Sequence, residues 1–438
     1  MENKNVVDRP IFIFSTGFFL LFILSAIINI NVLSNIMNVV VDFVSNTFGW
    51  FYLITVFVIF LLCMFVIFSK LGDVKLGKPE DKIEFSLFRW LAILFCTAIA
   101  SGSVFYGPAE PLWHYSSPPP ALGGSILAGS AQAAEYGVAY SYFHWGVSAW
   151  ALYVIFALAI GYAHYNKGLP LRVSSAFYPI LNEEQRNGWM GKAIDVLSII
   201  AIIAGMTPAP GFLTKQLSFT MSSAFNMIQS QRFEFIILAI VVVMYTWSAY
   251  TGVFKGISWL STFNVYLGWA LLLAVFLVGP TAYILKLTVS ALGHYIQNFF
   301  TMSLWSDPTG TNTGWMNHWT VFYWAWWLGF APMTGLFLAR ISKGRTLREI
   351  CIGGIFVTSV GMFSWFSVLG GTGLYLDQIK NGVIVDALNE FGLPAALINI
   401  LDNISIGNIL MPFFLVLITV FLVTSVDSVT LAASMAIS

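Results

Sequence analysis

The stretch YWAWWLGFAPMTG, residues 323–335, sets Tyr323, Trp324, Trp326, Trp327 and Phe330 close together and follows them with Pro332 and Gly335. What such a run does depends on the solvent around it. Of the 438 residues, 58% are hydrophobic and only 9% are charged, whereas soluble domains carry about 25% charged residues. Apolar runs of roughly 18 residues or more, long enough to cross a bilayer as a helix, recur along the chain. Segments of about ten residues with alternating polarity, the mark of a membrane β-barrel, do not. Composition therefore predicts an all-α polytopic membrane protein. Residues 323–335 then belong to a helix in the bilayer, expected to break at Pro332 and Gly335.

Working outward, spanning segments are expected at 10–33, 50–70, 87–108, 137–164, 192–212, 233–250, 262–285, 318–340, 349–369 and 407–436. Longer polar or amphipathic connections lie at 109–136, 286–317 and 370–406. With the N-terminus in the cytoplasm, only Lys215, Arg232, Lys286 and Lys380 of the basic residues fall outside. That is the positive-inside pattern, and it predicts a multi-pass protein of the cell membrane with a cytoplasmic N-terminus. Arg340, Lys343, Arg345 and Arg348 read as a topology anchor. The first apolar run is long enough to span, so no cleavable signal is expected. The closing stretch FLVTSVDSVTLAASMAIS reads as a helix that leads on to further spans.

Several function classes drop away. Net charge is zero and no basic tract offers a nucleic-acid surface. Cys63, Cys96 and Cys351 form no disulfide or metal pattern. No two histidines stand at the helical spacing of a zinc enzyme. No constellation of acid, base and metal suggests an enzyme.

The aromatic run has two readings. Trp and Tyr form belts at membrane surfaces, which suits Trp113, Trp315 and Trp319. It suits 323–330 less well, where rings sit mid-helix beside a proline. On a helical wheel Tyr323, Trp326, Trp327 and Phe330 share an arc of about 100°. Trp145, Trp150 and Tyr153, in FHWGVSAWALY (143–153), span about 140° of theirs. Ring faces attract cations that cannot donate hydrogen bonds, at about 2 kcal/mol or more per desolvated contact. They do so without the cost of a buried carboxylate. A cation–π cage for a quaternary ammonium is the functional reading. The small-residue stretch AIASGSVFYG (98–107) gives the third span a matching weak point. Two interrupted spans in corresponding halves point to a transporter site between inverted repeats. Glu110 and Asp427 are the acids nearest to spans and are functional candidates by default; for Glu110, capping or pairing at a helix end is the simpler reading.

The motifs carry a resemblance. HWTVFYWAWWLGFAPMTGLFLARISKGRTLREI (318–350) closely resembles the eighth-helix signature of the betaine/carnitine/choline transporter family. GPAEPLWHY (107–115), YSYFHWGVSAWALY (140–153) and FLVTSVDS (421–428) resemble its third, fourth and tenth helices. The resemblance runs from about residue 10 to residue 438. It implies a leucine-transporter-like inverted-repeat fold with ten of the usual twelve spans. Residues 1–85 would hold two spans outside the core, 86–285 the first five-span repeat, and 286–438 an incomplete second repeat of three. It implies a secondary transporter of a betaine-, choline- or carnitine-type onium compound, with no cofactor and often a homotrimer. The family's substrate cage falls on Trp145, Trp150, Tyr153 and Trp327. Trp326 matches a Trp that contacts substrate in some members, Trp113 matches a cage tyrosine of the carnitine branch, and Phe330 stands where the betaine branch has Trp. In AIASG, Ala98 and Ala100 replace family glycines, and GMTPAPG (205–211) departs from the usual fifth helix.

The resemblance also implies an ion site. Thr424 and Ser425 match sodium ligands, with Phe421 one turn earlier and carbonyls of Cys96 and Ile99 facing them. Back-bonding to the helix's own carbonyls is the plain alternative for such hydroxyls. Asn264, in LSTFNVYL (260–267), is neutral where the sodium-independent exchangers carry Arg, and Thr334 replaces a Met of those exchangers. Sodium symport is therefore expected. The alternatives are sodium-independent exchange of carnitine-like substrates and an onium sensor that does not transport.

Overall fold

The computed structural model describes residues 8–98, 100–120, 126–206, 208–225, 227–251, 253–311 and 313–437. Within these ranges it describes side chains outside 97–101, 202, 205–210, 212–213, 224, 245, 247–258, 313 and 426–437. The described chain is helical, with no strand beyond one bridge between Lys75 and Thr346. Six helical stretches among the described residues are long and apolar enough to cross a membrane: Arg9–Phe68, Ala131–Lys167, Trp259–Val278, Gly314–Ile341, Leu347–Ile379 and Gly407–Ser425. This is the all-α polytopic architecture that composition predicts.

The first difference from expectation is at the start. The separate spans 10–33 and 50–70 are joined in one helix, α1 (Arg9–Phe68), 60 residues long. Asp8 caps it and Pro10 stands in its first turn, where a missing N–H costs nothing. No proline interrupts 11–68, and the run continues. Its one irregularity is Asn29, at φ −159 and ψ 96. The Asn29 side-chain oxygen accepts from the backbone N–H groups of Asn31 and Val32, both at 3.1 Å. It so acts as an internal N-cap from which the helix restarts. The run is thus two helical segments joined at a kink at Asn29.

Helix follows over α2 (Leu87–Ala98) and α3 (Ala100–Ser116), then α4 (Ala131–Trp145) and α5 (Val147–Lys167). The last two together make up the single span expected at 137–164, within the one spanning stretch Ala131–Lys167. They part at Gly146, with φ −99 and ψ −144. A Cβ there would lie 2.3 Å from the Tyr142 carbonyl oxygen and 2.8 Å from the Phe363 ring. Only glycine fits, and the break turns Trp145 and Trp150 toward one space. Helices α6 (Trp189–Met206), α7 (Pro208–Phe225), α8 (Gln231–Thr251) and α9 (Val253–Val278) come next. Then α10 (Thr281–Leu304) fills most of the expected connection 286–317 with helix.

The second difference concerns the opening motif. A π turn at Asn317–Val321 leads into α11 (Phe322–Ile341), which runs through Pro332 and Gly335 without a break. The helix is irregular upstream of the rings, not after them. Gly335 serves packing instead: a Cβ on it would lie 2.4 Å from Phe156 Cβ, so α11 and α5 approach closely there. Small residues at crossings are how apolar helices gain contact in lipid. Gly161 of α5 repeats the device against Ala339 of α11. After α11 come α12 (Leu347–Ile379), with two further π turns, α13 (Leu393–Asp402), and α14 (Gly407–Ile437).

The basic cluster closes one end of this bundle. Arg340 pairs with Glu84 at 2.9 Å, Lys343 with Asp81 at 3.5 Å, and Arg348 with Asp73. Backbone bonds add Leu76 N–H to the Arg345 carbonyl at 2.9 Å and Gly344 N–H to the Leu76 carbonyl at 2.8 Å. The four residues read as a topology anchor thus also clasp the 73–85 loop.

Candidate functional site: an aromatic cluster between α4, α5 and α11

Because α4 ends at Trp145 and α5 starts after Gly146, their rings meet α11 from two levels. Trp145, Trp150, Tyr153 and Trp327 are all buried. Trp327 is the centre: its ring centroid lies 4.9 Å from Tyr153, 5.8 Å from Trp145 and 5.9 Å from Trp150. The expected quartet is therefore brought together, with its rings in contact.

Trp326 lies beside the quartet, 5.9 Å from Trp145, and carries Phe330 at 6.3 Å. Trp113 is one ring removed. It touches Tyr106 at 6.3 Å and Trp319 at 5.7 Å. Gly102 makes room for the indole edges, since a Cβ there would lie 3.1 Å from Trp145 and 3.6 Å from Trp326. The small-residue stretch therefore serves the cluster through one glycine. Helix is continuous over Ala100–Ser116, so the weak point expected at 98–107 does not appear within those residues.

Sequence reasoning missed three contributors and named a fourth, Glu110, only as a general candidate. Tyr106 is a hub, 5.5 Å from Trp145, 5.8 Å from Trp326 and 6.2 Å from Tyr323. Phe95 stacks on Trp150 with a 16° interplanar angle, and Phe366 lies 5.6 Å from Trp145. These are ordinary spanning-helix residues by pattern, and nothing local marks them. Glu110 had a local sign, an acid four residues before His114. It is no helix cap. It is fully buried and bonded to His144 at 2.8 Å, His114 at 3.3 Å, Trp145 Nε1 at 2.6 Å and the Tyr323 hydroxyl. Glu110, His114 and His144 each present a potential metal ligand atom within 4.8 Å of the others. The four donors already occupy the carboxylate, so the arrangement is a hydrogen-bond network.

The expected ion residues lie on α14 and α2. The Ser425 hydroxyl donates to the Cys96 carbonyl at 3.4 Å and so ties the two helices. The Thr424 hydroxyl donates back to the carbonyls of Val420 at 3.0 Å and Phe421 at 3.1 Å. That is the back-bonded state open to any such residue. Ile99 lies outside the described residues, as does the Asp427 side chain. Asn264 is fully buried with neither amide atom hydrogen-bonded. With Ser103, Trp365 and Phe421 it lines a cavity of about 20 Å³, space for one water.

Comparison with known proteins agrees with these motifs. A family model described as "BCCT, betaine/carnitine/choline family transporter" matches residues 10–438. Glycine betaine transporter OpuD of Bacillus subtilis (strain 168) is 37% identical over 414 residues, 94% of this chain and 79% of that protein. Glycine betaine transporter 2 of Vibrio parahaemolyticus is 35% identical over 429 residues, 98% of this chain and 78% of that protein. The high-affinity choline transport protein of Escherichia coli (strain K12) is 36% identical over 376 residues, 85% of this chain and 54% of that protein.

Proposed function

Because the chain belongs to the betaine/carnitine/choline transporter family, whose members are transporters and not enzymes, we propose that it imports a quaternary ammonium or related onium compound. The observation that carries the reading is the convergence of Trp145, Trp150 and Tyr153 on Trp327. Buried ring faces attract a cation electrostatically and ask for no hydrogen bond from it. The relatives named for glycine betaine and choline support that substrate class.

The coupling ion we propose is sodium, bound where Ser425 of α14 meets the Cys96 carbonyl of α2. Neutral oxygens near a membrane-embedded helix suit a hard monovalent cation. Binding there would tie α2 to α14 in one state of a rocking cycle. An ion shifts such an equilibrium only by its different affinity for the two states. The leucine-transporter-like inverted repeat supplies the two states in this reading, and the homotrimer belongs to the same proposal.

The test is a panel of glycine betaine, choline and carnitine, read by tryptophan fluorescence with and without sodium. Sodium-dependent quenching supports the symporter. Quenching indifferent to sodium moves the assignment to an exchanger. Uptake into proteoliposomes then separates a transporter from a sensor, which binds and accumulates nothing.

A further inference from the structure

The charge of the Glu110 network follows from counting its protons. Glu110 Oε1 takes His144 Nδ1–H at 2.8 Å and His114 Nε2–H at 3.3 Å, while Oε2 takes Trp145 Nε1–H at 2.6 Å and the Tyr323 hydroxyl. The other nitrogen of His144 lies 3.1 Å from the Thr320 hydroxyl, a contact that a neutral imidazole makes by accepting from that hydroxyl. The other nitrogen of His114 is buried and has no partner. A proton there would be an unpaired buried donor on a cation, the costly state. With both imidazoles neutral, every bond to Glu110 is still made. The network then holds one net negative charge, and the ion-pairing groups around Glu110 among the described residues are those two imidazoles alone.

We propose that Glu110 is the counter-anion of the aromatic cage, acting through Trp145. This rests on the cage being the onium site. Two effects work together. The charge-assisted bond from the Trp145 N–H to the carboxylate holds that indole in place and polarises it, which enriches its faces in electron density. The carboxylate also lies one indole away from a cation seated against Trp145, in surroundings that screen poorly. Substrate charge completes a site that is otherwise one positive charge short. Tyr323 and Trp145 are held by the same oxygen, so Glu110 is a positioning residue for both rings.

The experiment compares choline with its neutral isostere, 3,3-dimethylbutan-1-ol, on wild-type protein and the Glu110→Gln and Glu110→Asp variants, by tryptophan fluorescence titration. Coulomb attraction at an effective dielectric of about 20 predicts that Glu110→Gln weakens choline roughly tenfold or more. The isostere should change less than about twofold, and Glu110→Asp should keep the preference for choline. Equal losses for both ligands in Glu110→Gln would reduce Glu110 to a structural role and overturn the proposal. Wild-type protein that binds neither ligand would sink the cage reading first, and the proposal with it. If Glu110→Gln does not fold, infrared difference spectra of the wild type decide. A carboxylate band should move with choline and stay still with the isostere; a band silent to both overturns the proposal.

Discussion

At the scale of single residues, the site is a set of rings whose positions depend on what stands behind them. Trp327 touches all three other members of the quartet. Trp327→Ala should therefore abolish the substrate-induced fluorescence change and weaken binding at least tenfold, given about 2 kcal/mol per desolvated cation–π contact. Unchanged affinity, measured by isothermal titration, would count against the cage. The quartet itself was legible through the family resemblance; spacing alone marked two ring-bearing faces, Tyr323 to Phe330 and Trp145 to Tyr153. Tyr106 and Phe366 were not, because their role comes from which helices lie beside them.

At the scale of elements, close crossings and one ionic clasp hold the rings' helices together. Gly335→Ala would push a methyl to 2.4 Å from Phe156 Cβ. It should cost about 1–3 kcal/mol, as overpacking generally does, and lower the thermal midpoint in detergent; an unchanged midpoint would mean that α5 and α11 part freely. The clasp has a pH signature. Asp81 is held below its usual pKa, first by the Lys78 backbone N–H at 2.9 Å, then by Lys343 and Lys75. A lowered folded pKa means that Asp81 stabilises the clasp above the ordinary carboxylate pKa and stops doing so as pH falls through the lowered value. Asp81→Asn should lower the thermal midpoint at neutral pH, and the difference from wild type should vanish in strong acid. The exposure of the group and salt screening keep the effect small. Helix identity was readable from apolar runs, but not where helices join or irregularly wind. Residues 34–48 contain no Gly or Pro, so α1 continues through the gap between the two expected spans. Pro332 stays within α11, where it and its neighbours from Phe330 to Ala339 are buried.

At the scale of the molecule, a coupled transporter needs its ion site and its cage on helices that move relative to each other. The Ser425 to Cys96 bond joins α14 to α2, whose neighbouring Phe95 stacks on Trp150 of the ring cluster. Replacing Thr424 and Ser425 together by Ala should raise the sodium concentration that half-saturates substrate binding several-fold, without abolishing binding at saturating sodium. Sodium dependence identical to wild type would move the ion site elsewhere. By itself, the sequence determined the solvent, the helical class, the family resemblance and the identity of the four central rings. The solvent and the helical class follow from composition, and the resemblance, with the four rings it marks, from short motifs; all are local properties of the chain. Only the tertiary structure decided that α4 and α5 part at Gly146, that α11 runs straight through its proline, and that a carboxylate lies bonded behind Trp145. Each depends on atoms far apart in sequence meeting within a few ångströms, such as Phe363 against Gly146, Phe156 against Gly335 and Trp145 against Glu110. No one-dimensional pattern records those meetings.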